Sequence, residues 1–140
     1  MRLGEAIGLL KQDIALDGDV PYIDLKPHPW RRLKTIGSER KIPLVGASLW
    51  AAQRVLEQPS DKLFSFPRHC SEGGHKTNSA SAALNKWLKS HASQKTVIHS
   101  FRHNIRDRLR AVECPSEIVD QIGGLLTAGV GNSYGNGYPL

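Results

Sequence analysis

The apolar positions form short alternating runs near the start of the chain and helical stripes beyond residue 47. Residues 3–11 (LGEAIGLLK) read as the end of a helix. Three β-like runs follow, VPYIDLK at 20–26, WRRLKT at 30–35 and KIPLV at 41–45. Pro27 and Pro29 separate the first two and Gly37-Ser38 the last two, which predicts a small antiparallel sheet. From Ala47 to Gln58, the spacing of Leu49, Ala52, Val55 and Leu56 predicts a helix that Pro59 ends. A Gly-, Ser- and His-containing loop spans 68–78. SASAALNKWLKS then places Ala80, Ala83, Leu84, Trp87 and Leu88 on one helical stripe. A further helix starts near Ser100, with Phe101, Ile105, Leu109 and Val112 as its apolar stripe and Arg102, Arg106 and Arg110 on other faces. Pro115 suits the first turn of a last helix through Ile118 and Ile122, which Gly123-Gly124 stops. The Gly-rich remainder has room for one helical turn around Tyr134. The pattern predicts an α+β fold, mainly helical with a small three-stranded antiparallel sheet, in a single domain over residues 1–140, with no repeat and no linker.

Composition narrows the class. A chain of 140 residues, 39% hydrophobic and 23% charged, builds one modest core. No apolar run approaches the roughly 20 residues of a membrane span. Glu5 precedes the first apolar stretch and no small-residue cleavage pattern follows it, which argues against a secretory signal and for a cytoplasmic protein. In that compartment Cys70 and Cys114 are expected as free thiols. The net charge of +6 and the pI near 9.6 make nucleic acid a partner to test, with the placement of the charges deciding.

Two basic clusters matter here. Lys26, Arg31, Arg32, Lys34, Arg40 and Lys41 crowd the predicted sheet, and Arg106, Arg108 and Arg110 extend the helix that begins HSFRH. In HSFRH, His99 and Arg102 share a face beside helix N-terminal amides, where a phosphate is the natural guest. Taken alone, the same pair also reads as a capping histidine and a solvated arginine.

Across nearly its whole length the chain resembles the catalytic domain of tyrosine recombinases, the phage-integrase family. Met1-Arg2-Leu3-Gly4-Glu5 resembles the family's R-x-x-E box, WRRLKTIGSERKIPL its lysine-bearing hairpin, HSFRH its H-x-x-R box, and Tyr134 in NSYGNGY its nucleophile. LFSFPR and NSASAALNKWL sit where the family has an intervening strand and helix. The resemblance implies that the Tyr134 hydroxyl attacks a DNA phosphodiester to leave a 3′-phosphotyrosyl link, so that bond energy is retained without metal or nucleotide cofactor. Arg2 and Arg102 are then the clamps on the transition-state oxygens, Lys34 the acid for the departing 5′-oxygen, His99 the group that handles the tyrosine proton, and Glu5 a buried partner orienting the arginine region. Arg31, Arg32, Arg40, Lys41 and Arg106 are expected to touch the backbone of double-stranded DNA, and copies of the chain are expected to assemble on it.

The chain departs from the pattern at one position and at its ends. Nine residues before Tyr134, where the family carries a histidine or tryptophan donor, stands Leu125, which has none. The family's core-binding domain and its extension beyond the tyrosine are absent, so the chain reads as an excised or truncated catalytic domain. An alternative follows, a catalytically impaired remnant that binds DNA or a partner protein. His69, Cys70 and His75 lack the spacing of a structural zinc site, and Asp13, Asp17 and Asp19 read as a solvated acidic turn rather than a two-metal centre.

Overall fold

The computed structural model describes residues 1–34, 38–59 and 63–124. A short helix α1 (Leu3–Ile7) leads through a single 3-10 turn (Lys11–Asp13) into β1 (Ile14–Ala15), followed by β2 (Tyr22–Leu25) and β3 (Arg40–Pro43). Helix α2 (Ala47–Leu56) precedes a small hairpin of β4 (Cys70–Ser71) and β5 (Gly74–His75), and α3 (Thr77–Lys89), α4 (Ser100–Ala111) and α5 (Ser116–Gly123) complete the described chain. The expected α+β class is observed, with five α-helices and a three-stranded antiparallel sheet ordered β1-β2-β3 among the described residues. None of these helices is long and apolar enough to cross a membrane.

The sheet is built from different segments than the runs suggest. The first and third runs form β2 and β3, with Ile23 opposite Ile42 and Asp24 opposite Lys41. The second run does not become a strand over its described residues 30–34. Its backbone makes only a two-residue bridge between His28 and Arg31, because two prolines within three residues deny the segment the donors a ladder needs. The third strand is β1, whose two residues are too few to show alternation. Lys34 thus lies in the connection between β2 and β3 rather than on a hairpin strand.

Leu9, Ile14, Ile23, Leu25, Leu44, Ala52 and Val55 make the core where α2 covers the sheet. The stripes on α3 and α4 bury less than their regularity suggests. On α3 only Ala80 and Leu88 are buried, while Trp87 remains 57% exposed. On α4, Phe101, Ile105 and Val112 face solvent, and the inward face is Arg102, Arg106 and Leu109, which packs against α5.

Asp13 is another departure, since it is fully buried rather than part of a solvated turn. Its carboxylate accepts the Leu10 N–H at 3.0 Å, lies 2.9 Å from His28 Nε2 and sits 3.6 Å from Arg31 Nη2. Arg31 is itself fully enclosed and donates to the carbonyls of Glu5 and Lys26. Gly8 permits this, because a Cβ there would stand 2.6 Å from Arg31 Cδ. A buried cation deprived of its counter-ion costs about 3–5 kcal/mol. Asp13→Ala is therefore expected to lower the urea-unfolding free energy by about that much, whereas Asp17→Ala, at an exposed site, shifts it by less than about 0.5 kcal/mol.

Candidate functional site

Glu5 organises the site. The residue sits one turn into α1, 4% exposed, and its carboxylate accepts both the Arg2 backbone N–H and Arg2 Nη1 at 2.7 Å. A glutamate at the third helical position reaches back to the free amide at the helix start, which explains why R-x-x-E closes on itself here. From β3, Arg40 Nη2 approaches the same carboxylate at 3.3 Å. Arg40 is buried because β3 alternates, turning Arg40 inward and Lys41 outward. Its Nη1 donates to the Ser38 carbonyl at 2.5 Å and its Nε to the Ile122 carbonyl at 3.2 Å.

Arg102 enters from the first turn of α4. Its Nη2 donates to the Gly123 carbonyl at 2.6 Å, at the C-terminal end of α5, while its Nη1 is buried without a hydrogen-bond partner among the described residues. His99, the residue before α4, makes no capping hydrogen bond with its side chain. Its exposed ring instead stands edge-to-face with His103, centroids 5.1 Å apart. His99 thus occupies the N-cap position of α4 without a side-chain capping bond. Arg2, Leu3, Ala6, Ile98, His99 and Arg102 line one open cavity of about 240 Å³.

The electrostatics are unbalanced in one direction. Burial depresses the Arg102 pKa, and the charges of Arg2, Arg40 and Arg106 depress it further against the opposing pull of Glu5. Arg106 has an acidic neighbour in Asp120 at 3.8 Å. Among the described residues that leaves Arg2, Arg40 and Arg102 around the single carboxylate of Glu5. A multivalent anion with oxygens in the cavity relieves that excess, and guanidiniums hold such oxygens by paired, planar donors.

Of the residues singled out from the sequence, Arg2, His99 and Arg102 come together. Lys34 is exposed and does not line the cavity. Tyr134 and Leu125 lie outside the described residues. Two expected DNA contacts are corrected, since Arg31 and Arg40 are buried against Asp13 and Glu5 and present no donor to a surface ligand. Arg32 and Lys41 are exposed, the latter with its ammonium 4.7 Å from the Tyr22 ring centroid, and Arg106 is half-buried. In the hairpin at 70–75, Cys70 pairs with His75 across the strands, and burial pushes the Cys70 thiol pKa up. No group of three or more His, Cys, Asp or Glu that could hold a metal occurs among the described residues. Both cysteines are free.

Two residues of the site escape a reading by motif. Arg40 looks like one more surface cation until strand alternation is known, and Gly124 looks like a simple stop. Gly124 adopts φ 62° and a Cβ there would collide with the Arg40 guanidinium, so this position requires glycine twice over. No family model matches the chain, and no curated protein or solved structure matches it.

Burial alone would raise the Glu5 pKa, but the Arg2 hydrogen bonds and the charges of Arg40 and Arg2 outweigh it and hold the carboxyl below its ordinary 4.5. A depressed folded-state pKa contributes stability that is complete above the unfolded value and is lost as pH falls through the folded one. Glu5→Gln is accordingly expected to cost about 1.5–3 kcal/mol near neutrality. In unfolding curves the gap between variant and parent should hold down to about pH 4.5 and close progressively below it.

Proposed function

We propose that this protein cuts and rejoins double-stranded DNA through a covalent phosphotyrosyl intermediate, in the manner of tyrosine recombinases, and serves integration or excision of a mobile element. The observation that carries the reading is the convergence of Arg2, His99 and Arg102, from opposite ends of the described chain, on one cavity with uncompensated positive charge. The residues of the R-x-x-E and H-x-x-R boxes line the same cavity, as a shared phosphate would require.

In this reading a DNA phosphate occupies the cavity. The Tyr134 hydroxyl attacks phosphorus and gives up its proton toward His99, the bond to the 5′-oxygen breaks, and Lys34 protonates the departing oxygen. Charge gathers on the non-bridging oxygens, where Arg2 and Arg102 supply donors already held in place by Glu5 and the end of α5. The Nη1 of Arg102, buried and unpaired among the described residues, is the donor this reading assigns to them once the phosphate is seated. Reversal by a second 5′-hydroxyl rejoins the strand. Arg32 and Lys41 extend the phosphate contacts beyond the scissile position.

Leu125 favours a second reading, in which the same cavity holds a DNA phosphate and no cleavage follows, because one transition-state donor is missing. A suicide-substrate assay separates the two. With nicked duplexes drawn from host sequences flanking the coding region, the first reading predicts a covalent protein–DNA band on a denaturing gel. That band should vanish in Tyr134→Phe and form about 10²–10³-fold more slowly in Arg102→Gln. Salt-dependent binding with no band on any duplex supports the second reading. In either case Arg32→Ala and Lys41→Ala should each lower the slope of log affinity against log salt by about one.

A further inference from the structure

Arg40 does more than neutralise Glu5. Its Nη2 faces the carboxylate that orients Arg2, its Nη1 holds the Ser38 carbonyl in the β2–β3 connection that carries Lys34, and its Nε holds the Ile122 carbonyl at the end of α5. The segment bearing Tyr134 departs from that end of α5, and Gly124, its first residue past the helix, is packed against the same guanidinium. One rigid planar group therefore touches all three pieces of chain that carry, or lead to, Arg2, Lys34 and Tyr134. Arg102 closes the arrangement from the other side by donating to the adjacent Gly123 carbonyl.

We propose that Arg40 is a positioning residue that sets the relative placement of α1, the β2–β3 connection and the exit of α5, and does not itself contact DNA. The proposal rests on the reading of the site as a phosphotyrosyl centre for its consequence in rate, and on geometry alone for its consequence in structure. A guanidinium suits the task because its donors are fixed in one plane and bridge several acceptors at once. A lysine ammonium keeps the charge beside Glu5 on a flexible stem and cannot hold the three acceptors in a fixed relation. The cations at α5 also lie at the negative end of its helix dipole, where their attraction adds to the hydrogen bonds.

The test uses the whole chain as Arg40→Lys and Arg40→Gln, with Arg54→Gln as a control from an exposed pair on α2. Hydrogen exchange followed by mass spectrometry reads the structural half. In Arg40→Lys, peptides covering 1–10 and 116–124 should lose protection together, by about tenfold or more, while the α2 peptide covering 47–56 keeps its protection. Should Arg40→Gln open the whole chain, Arg40→Lys alone decides. Unchanged protection at 116–124, or an equal loss across all three peptides, overturns the proposal.

Covalent-adduct formation on saturating suicide substrate reads the other half. The rate should fall by about 100-fold in Arg40→Lys, since a displacement of about 1 Å at a reacting centre costs that much, while the salt slope of DNA affinity stays at the parent value. A drop of about one in the salt slope would instead make Arg40 a phosphate contact and end the proposal. If the parent chain forms no adduct, the phosphotyrosyl reading fails by itself, and the exchange experiment still decides whether Arg40 couples α1 to α5.

Discussion

The carboxylate of Glu5 is the interaction on which the rest of this site depends. Without it, Arg2 and Arg40 would bring two guanidiniums together beside Arg102 with nothing between them, and burying unpaired charge costs more than this small core can supply. With it, two elements distant in sequence are drawn to one point, because the start of α1 supplies the carboxylate and one cation and β3 supplies the other. The arrangement is only partly neutral. A carboxylate that serves Arg2 and Arg40 leaves Arg102 held by a backbone carbonyl, with its buried Nη1 unpaired among the described residues.

Much of the fold was legible in the sequence, and the exceptions have identifiable causes. Helices α2 to α5 follow from apolar spacing and from Pro59, Pro115 and Gly124 at their ends, signals that are local and strong. Which side of α4 faces inward was not legible. Phe101, Ile105 and Val112 outline the regular stripe, yet half-buried Arg102 and Arg106 lie against the end of α5, where the Gly123 carbonyl and Asp120 receive them. Periodicity detects amphipathicity and does not say what the opposite face can pair with. The sheet was misassigned for a similar reason, since residues 30–34 have strand-like composition while the buried Arg31 pulls its segment down toward Asp13 and away from a ladder.

The candidate site was legible to the extent that motifs encode it. Arg2, His99 and Arg102 belong to two boxes and meet at one cavity, whereas two of the cations that charge alone assigns to DNA, Arg31 and Arg40, lie in the interior. Charge counts treat every arginine alike. Arg31 and Arg40 belong to the interior, each matched to a buried carboxylate, so the basic surface is carried by exposed residues such as Arg32, Lys41, Arg108 and Arg110. The overall charge of +6 is unaffected by this sorting, but the footprint it offers a polyanion is smaller and differently placed than the sequence clusters indicate.

Among the described residues, the buried carboxylates Asp13 and Glu5 show why one cluster is closed on itself and the other is suited to an incoming anion. Asp13 is met by the Leu10 amide, His28 and Arg31, with Lys26 at 3.9 Å, so its cluster has little appetite for a further anion. Arg31 Nε has no partner among the described residues, but the residue is wholly enclosed and no solute reaches it without unpacking the core. At Glu5 the balance is reversed, with more guanidinium than carboxylate and the surplus on the wall of an open cavity. A buried cation without an internal partner is a cost to folding wherever it occurs. Where an oxyanion can enter and cancel that cost, the same deficit becomes binding energy with a fixed direction, already organised before the ligand arrives. That difference in access, more than any difference in residue type, separates the Arg2–Arg102 cavity from the Asp13 cluster.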